Sequence, residues 1–531
     1  MPSFKLDGRE IPFEPGDSII RAAWKQGIEV PHYCWHPGLS SPANCRMCLV
    51  EIKPPEGQRG IQLDIVAWDE EAQAYRTVKK PKLLPSCQMQ AVDGQEVLAE
   101  TSPHVIQARS YVQEALLLNH PVDCPICDQA GECKLQDYWL AHQGTKKRMR
   151  EEPVHKPKGV QFGESIVYDG ERCVMCTRCV RFMEEVAKDP VLEMRERGNL
   201  NEISVAPGRK LEGNYTLMVE HVCPVGALTS TDFRFKARVW FLRSAKTICQ
   251  GCAQGCNAHL DFDPRYNKAY RYRARDNHAV NSYWMCDPGM LSYKAVHENR
   301  LLEATVNGKH ASTHAAIEAA KGLLAGASGV AIVHGRQQSQ EDNVALAALG
   351  EALGAKVFVT GAADGFADDI LIKADKNSNT AGVALLAPKA GDFAALRRAV
   401  SKGDISAVLV LGTSVPSDDE GAISDLRGAK TIALAVHEGP VAKAATVVLP
   451  IAAWAECSGT FVNIGGHAQV SEKALEPQGS ARPGWEVIAK LGAALGHDLG
   501  FAKLKEVRAR LASATPAVST APEASAPEAS A

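Results

Sequence analysis

The sequence predicts a multidomain chain, mixed α+β through its first 300 or so residues and α/β beyond them. Three observations carry this reading. Fifteen of the sixteen cysteines fall between Cys34 and Cys286, and only Cys457 stands apart. The N-terminus opens on a hairpin signal followed by a capped helix. From about residue 325, short apolar runs alternate with helical stretches, which is the pattern of a mainly parallel sheet.

The elements follow in order. Phe4-Lys5-Leu6 and Ile11-Pro12-Phe13 flank an Asp7-Gly8 turn. Asp17 or Ser18 caps a helix that runs to about Gln26 and ends at Gly27, with Ile19, Ile20, Ala23 and Trp24 on one face. A second helix covers about Val105 to Asn119. Gly144 to Lys158 is basic and reads as a surface linker. Buried strands are expected at Gly329–His334, Val383–Ala387, Ala407–Gly412, Thr431–Ala435 and Thr446–Leu449, and helices at Asp392–Ser401 and Trp485–Leu495. The Ala/Pro/Ser/Glu-rich tail from about Ser513 repeats Ala-Pro-Glu-Ala-Ser and is expected to be disordered.

Composition narrows the function classes. A chain of 531 residues suggests three or four domains. A formal net charge of -3 points to neither nucleic acid nor an anionic membrane surface. No apolar run reaches the roughly 18 residues of a membrane span. Met1-Pro2-Ser3-Phe4-Lys5 shows no signal core, so a cytoplasmic location is expected, with any membrane association through partners. Disulfide frameworks suit short secreted chains, so metal ligation is the better reading of so many cysteines.

The cysteines form four sets. Cys34, Cys45, Cys48 and Cys87 have one tight pair and a distant fourth member. This follows the logic of a plant-type [2Fe–2S] site with a longer first gap, whereas a four-cysteine zinc site usually has two tight pairs. His120, Cys124, Cys127 and Cys133 fit either structural zinc or a [4Fe–4S] cluster on spacing alone. Cys173, Cys176 and Cys179 form the compact triplet of a ferredoxin cubane. Met183 stands where a ferredoxin's fourth cysteine would follow, and a separate Cys223-Pro224 completes the set. Cys249, Cys252, Cys256 and Cys286 fit a third cubane, with an all-thiolate zinc site as the alternative. Fifteen cysteines and His120 are thereby used, and Cys457 is left as a simple buried thiol.

These sets, in this order, resemble the large iron–sulfur subunit (the 75 kDa type) of respiratory complex I, the proton-translocating NADH–quinone oxidoreductase. The resemblance implies six segments: a β-grasp [2Fe–2S] ferredoxin-like domain at 1–98, a [4Fe–4S] domain with one histidine and three cysteine ligands at 99–158, and a ferredoxin-like [4Fe–4S] domain at 159–240. A [4Fe–4S] segment of molybdopterin-oxidoreductase type follows at 241–300, then a degenerate α/β domain of that type at 301–510 and the tail at 511–531. The Cys249 set resembles an additional cluster that only some bacterial members carry, away from the main electron path.

The C-terminal part is similar to molybdopterin-dependent oxidoreductases through Val447-Val448-Leu449-Pro450, Gly459-Thr460-Phe461-Val462-Asn463 and Gly465-Gly466-His467-Ala468-Gln469, then Pro477 and Pro483-Gly484-Trp485. That family usually carries an acidic residue and arginine where Gly466 and His467 stand, and no cysteine lies between Cys286 and Cys457. The implied reading is a scaffold without molybdopterin or molybdenum, with no G-x-G-x-x-G or Walker A nucleotide site.

The implied role is electron relay from an NADH/FMN-binding partner subunit toward quinone, with other hydrophilic and membrane subunits as further partners. The chain would sit on the cytoplasmic face of the inner membrane, held through those partners. No substrate-bond chemistry and no catalytic acid or base are expected on this chain. Two alternatives belong to other enzymes. An NAD-linked formate dehydrogenase predicts bound molybdenum or tungsten, and an NAD-coupled hydrogenase with an [FeFe] centre needs further cysteine motifs after Cys286. One outcome follows from ligand charge. A thiolate in place of the neutral imidazole makes the second cluster more negative, so His120→Cys is expected to lower its midpoint potential in a redox titration.

Overall fold

A computed structural model describes residues 1–142, 148–416, 425–514 and 519–520. The basic linker falls partly, and the repeat-bearing tail almost wholly, outside the described residues. The chain divides into two compact units, Met1–Trp240 and the part from Phe241 on. Among the described residues no helix is long and apolar enough to cross a membrane.

The first unit begins as read. Strands Ser3–Leu6 and Arg9–Pro12 form the hairpin. The Ser18 side chain accepts from Arg21 N to cap helix Ile19–Lys25. The late strand Glu96–Leu98 then inserts parallel to the first strand and antiparallel to Leu49–Lys53. The helix packs Ile19, Ile20 and Ala23 onto Phe4, Leu6, Ile11 and Val97. This is the β-grasp arrangement. It leaves Cys34, Cys45, Cys48 and Cys87 on loops at the sheet's margin. The helix read at Val105–Asn119 is Pro103–Leu117, capped by Ser102. Further along, Arg178–Glu185 is a short helix, and Leu228–Ser230 pairs antiparallel with Ile166–Tyr168.

A feature absent from the sequence reading is the hairpin Gln62–Asp69 with Ala74–Pro81. Its exposed Val66, Trp68 and Tyr75 give no one-sided periodicity to detect.

The second unit opens with an antiparallel sheet of Arg243–Ile248, Asn257–Asp263 and Lys268–Ala274. Its main sheet has five parallel strands in the spatial order Lys356–Thr360, Val330–Gly335, Ala407–Leu411, Lys430–Ala435, Val447–Pro450. Ala304–Val306 and Lys309–Ala311 extend the far edge antiparallel. Each central strand is apolar on both faces, as parallel strands covered by helices must be. The order in chain numbering is 2-1-3-4-5, so strand polarity of connection reverses beside Val330–Gly335.

One expected strand is wrong. Val383–Ala387 lies in and just after helix Thr380–Leu386. A five-residue apolar run suits a strand or a buried helical turn equally, and here Leu385 points outward while Val383 is buried. The helices Thr313–Ala325 and Gln340–Leu353 were not read. Both carry serine caps, Ser312 and Ser339, which were the available signal.

Within this unit Arg300 and Glu456 form a two-pronged ion pair at 3.0 and 2.6 Å, with side chains 3% and 0% exposed. Ala453 N and Gln478 N also donate to the carboxylate. Neutralising one partner leaves a buried charge unpaired. Glu456→Gln is therefore expected to destabilise this unit by about 3–5 kcal/mol in urea denaturation followed by near-ultraviolet circular dichroism.

Candidate metal centres

In the first set the four thiols fall into two hydrogen-bonded pairs, Cys34 with Cys45 and Cys48 with Cys87. In each pair the contact between the thiols holds one below its ordinary pKa and pushes the other above it, with Cys45 at about 5. Ala43 and Arg46 take left-handed backbone (φ 53° and 61°), which curls the loop. Tyr33 N then donates to Cys45 Sγ at 3.5 Å. Two pairs of thiols on one loop-bound site match the demand of two irons sharing a sulfide bridge.

The third set is drawn around one enclosed cavity. Cys173, Cys176, Cys179 and Cys223 all line it, and Val174, Ile203, Val225, Ala227 and Leu228 supply apolar wall. Left-handed Met175 and Thr177 (φ 50° and 60°) fold the triplet so that Met175 N donates to Cys173 Sγ at 3.4 Å. Burial pushes Cys173 and Cys176 up to about 11 and Cys223 up to about 12. Thiols in such apolar surroundings favour the protonated form until a cationic core replaces the protons.

In the second set His120, Cys124, Cys127 and Cys133 line a common cavity of about 510 Å³. Burial holds His120 down at about 4, so its imidazole is neutral near pH 7 and keeps a free lone pair. Arg238 Nη1 donates to the Cys127 carbonyl at 2.5 Å and braces the loop.

The second and third sets share a wall. Val225 and Ala227 face the third set's cavity, while Gly226 between them faces the second. A methyl group on Gly226 would overlap Cys127 Sγ. Lys134 N, beside Cys133, donates to the carbonyl of Pro224, beside Cys223, at 3.1 Å. Arg172, beside Cys173, grips Asp123, beside Cys124, at 3.0 and 2.6 Å. The first and third sets also touch, through Asn44 Nδ2 to the Met175 carbonyl at 3.1 Å and through Arg178 and Arg181.

In the second unit, Cys249 ends one strand and Cys256 precedes the next, so the strand connection itself carries the fourth set. Cys286 caps helix Asp287–Leu291, with Gly289 N donating to its Sγ at 3.3 Å. Gly289 keeps space for the sulfurs: a Cβ on it would stand a tight 3.2 Å from both Cys249 Sγ and Cys286 Sγ. Burial pushes Cys249 up to about 11 and Cys286 to about 12. The motifs that resemble molybdopterin enzymes hold this loop. Asn463 Nδ2 donates to Gln254 O at 3.2 Å, Ile464 N to Ala253 O at 2.8 Å, and Gln469 Nε2 to Gly255 O at 2.9 Å.

Among the described residues no three His, Cys, Asp or Glu side chains lie close enough to hold one metal ion. Thiolates on a single zinc sit within about 4 Å of one another, given 2.3 Å bonds. A separate cavity of about 320 Å³ lies over the C-terminal ends of the parallel strands. Asp342 and Glu438 line it, and among the described residues no lysine or arginine does, a poor setting for a phosphate-bearing cofactor. Cys457 lines this cavity and is partly exposed, where a fully buried thiol was expected. Sequence spacing missed Arg178, Arg181 and Gly226. Basic residues interleaved with the Cys173 triplet were the signal for the first two.

Comparison with known proteins gives four family models. A 2Fe-2S iron-sulfur cluster binding domain matches residues 3–102, and the NADH-ubiquinone oxidoreductase-G iron-sulfur binding region matches 109–148. The ferredoxin-like domain of NADH-quinone oxidoreductase subunit 3 matches 163–229, and molybdopterin oxidoreductase matches 291–494. The G subunit of NADH-quinone oxidoreductase from Streptomyces coelicolor is 35% identical over 64% of this chain and 38% of its own length. Its counterpart from Rickettsia felis is 26% identical over 96% of this chain and 90% of its own. A crystal structure of NAD+-reducing [NiFe]-hydrogenase in the H2-reduced state is 26% identical over 45% of this chain and 91% of that one, with a TM-score of 0.36. The chain spans 38–41% of the length of the first curated relatives it matches. Through two of these family models and its curated relatives, the chain is similar to the large iron–sulfur subunit of NADH–quinone oxidoreductase.

Proposed function

We propose that this chain relays electrons inside an NADH–quinone oxidoreductase, from an NADH/FMN-binding partner subunit toward quinone, in a complex that as a whole translocates protons. Its ligands are Cys34, Cys45, Cys48 and Cys87 for a [2Fe–2S] cluster. Three [4Fe–4S] clusters take His120 with Cys124, Cys127 and Cys133; Cys173, Cys176, Cys179 and Cys223; and Cys249, Cys252, Cys256 and Cys286. Further partners are the other hydrophilic and membrane subunits, which hold the chain at the cytoplasmic face of the membrane. When bound, such clusters supply one-electron carriers whose potentials follow ligand charge, hydrogen bonds and burial.

The single observation that carries the relay is the shared wall at Val225-Gly226-Ala227, a single run of chain between two thiol-lined cavities. With the contacts between the first and third sets, it supports the order first, third, second. The chain's own work is to exclude water, fix the ligands and hold donors on the sulfurs and carbonyls. The carboxylate-bearing cavity of the second unit supports the reading that no molybdopterin is held there.

Two measurements test this. Iron analysis with EPR on the reduced protein is expected to give about fourteen irons in one binuclear and three cubane centres. About ten would leave the Cys249 set empty or zinc-filled, and the absence of a binuclear signal would sink the relay. Gly226→Ala forces Cys127 Sγ to turn away from its cavity. That variant is expected to lose the His120-set cubane, about four irons, while the [2Fe–2S] signal persists.

A further inference from the structure

Two arginines tie the first set to the third, and both stand on the helix Arg178–Glu185 that carries Cys179. Arg181 Nη2 donates to the Cys34 carbonyl at 2.5 Å and to the Cys176 carbonyl at 3.2 Å. Its Nη1 donates to the Ser40 carbonyl. Three residues earlier, Arg178 Nη2 donates to the Trp35 carbonyl at 2.5 Å. Arg178 Nη1 reaches the Val222 carbonyl, just before Cys223, at 3.4 Å. Each guanidinium therefore has one hand on each ligand loop.

Their charge balance is the informative part. Arg181 is 8% exposed, so its guanidinium stands largely out of water. Among the described residues neither arginine has a carboxylate within ion-pair distance. Carbonyl dipoles satisfy the N–H groups without neutralising the cations. A buried cation without an anionic partner is costly, so an anion is called for at this place.

We infer that Arg178 and Arg181 are positioning residues that clamp the two ligand loops at a fixed separation and stabilise added negative charge on both centres. This rests on the relay reading above. Centres built on four thiolates are anionic, and each reduction adds one electron to one of them. Two fixed cations lying between them favour both reduced forms, so the clamp raises both midpoint potentials together. A residue serving only the packing of one loop would not move the potential of the other loop's centre.

The test is an EPR-monitored potentiometric titration of the iron-loaded full chain in Arg178→Gln and Arg181→Gln variants. Arg76→Gln, on the exposed hairpin, is the charge-loss control. In each clamp variant, full iron content with both the [2Fe–2S] and the Cys173-set midpoints shifted downward is expected, and the control is expected to move neither. Full iron with one midpoint or neither shifted overturns the clamp and leaves the relay standing. Where a glutamine variant loses iron, the lysine variant at that position decides, since lysine keeps the charge. It is expected to load iron and keep both midpoints near those of the unmodified chain. Loss of iron from the lysine variants too would assign the arginines to folding alone and overturn the inference. Absence of these two signals from the unmodified chain would instead sink the relay reading.

Discussion

Everything in the first unit depends on burying thiols that repel one another once ionised. Four thiols around the Cys173-set cavity sit in apolar surroundings that push them toward the protonated form. The polypeptide by itself offers them little reason to converge. The backbone accepts left-handed conformations at Ala43, Arg46, Met175 and Thr177, none of them glycine, to build the loops. Such strain persists only where surrounding structure over-determines it, and it clusters at functional sites. An inorganic core that takes four thiolates and returns a compact anion resolves the repulsion, and the N–H groups of Tyr33 and Met175 stand at the sulfurs to meet it.

Spatial order departs from chain order for a physical reason. Cys223 is far from its triplet in sequence, and the segment that delivers it continues along the back of the second set. This segment is a turn just ahead of strand Leu228–Ser230, and its residues face two ways. One side, Val225 and Ala227, closes the third set's cavity, and the other, Gly226, closes the second's. Gly226 keeps that wall thin. The remote fourth ligand is thus also the structure that brings two cages together, while the Arg172–Asp123 pair locks the residues just ahead of both.

Part of this was legible in the sequence. Close cysteine spacing marked out four groups of thiols, because short Cys-x2-Cys steps stand out from the rest of the chain. Ser18, with Asp7-Gly8, gave the first hairpin and helix because caps and turns are local. The run Val383–Ala387 misled because an apolar pentapeptide carries no period of its own. Arg178 and Arg181 were hinted at only by their closeness to the Cys173 triplet, because their partners are backbone carbonyls of distant loops, which leave no mark in composition. The cage wall at Gly226 was hidden for the same reason: a glycine's importance depends on what approaches it.

The second unit sets a thiol-bearing loop against a scaffold similar to molybdopterin oxidoreductases. Its parallel sheet reverses connection beside Val330–Gly335, and a cavity opens there over the strand ends, where ligands of doubly wound folds bind. Yet the charged groups lining it are Asp342 and Glu438, and an anionic cofactor would meet repulsion. Asn463 and Gln469, which carry the resemblance to molybdopterin enzymes, spend their hydrogen bonds on Gln254 and Gly255 instead. Those bonds shape the loop between Cys252 and Cys256. The motif therefore persists for the support of a thiol cage, and its presence alone is no argument for a pterin.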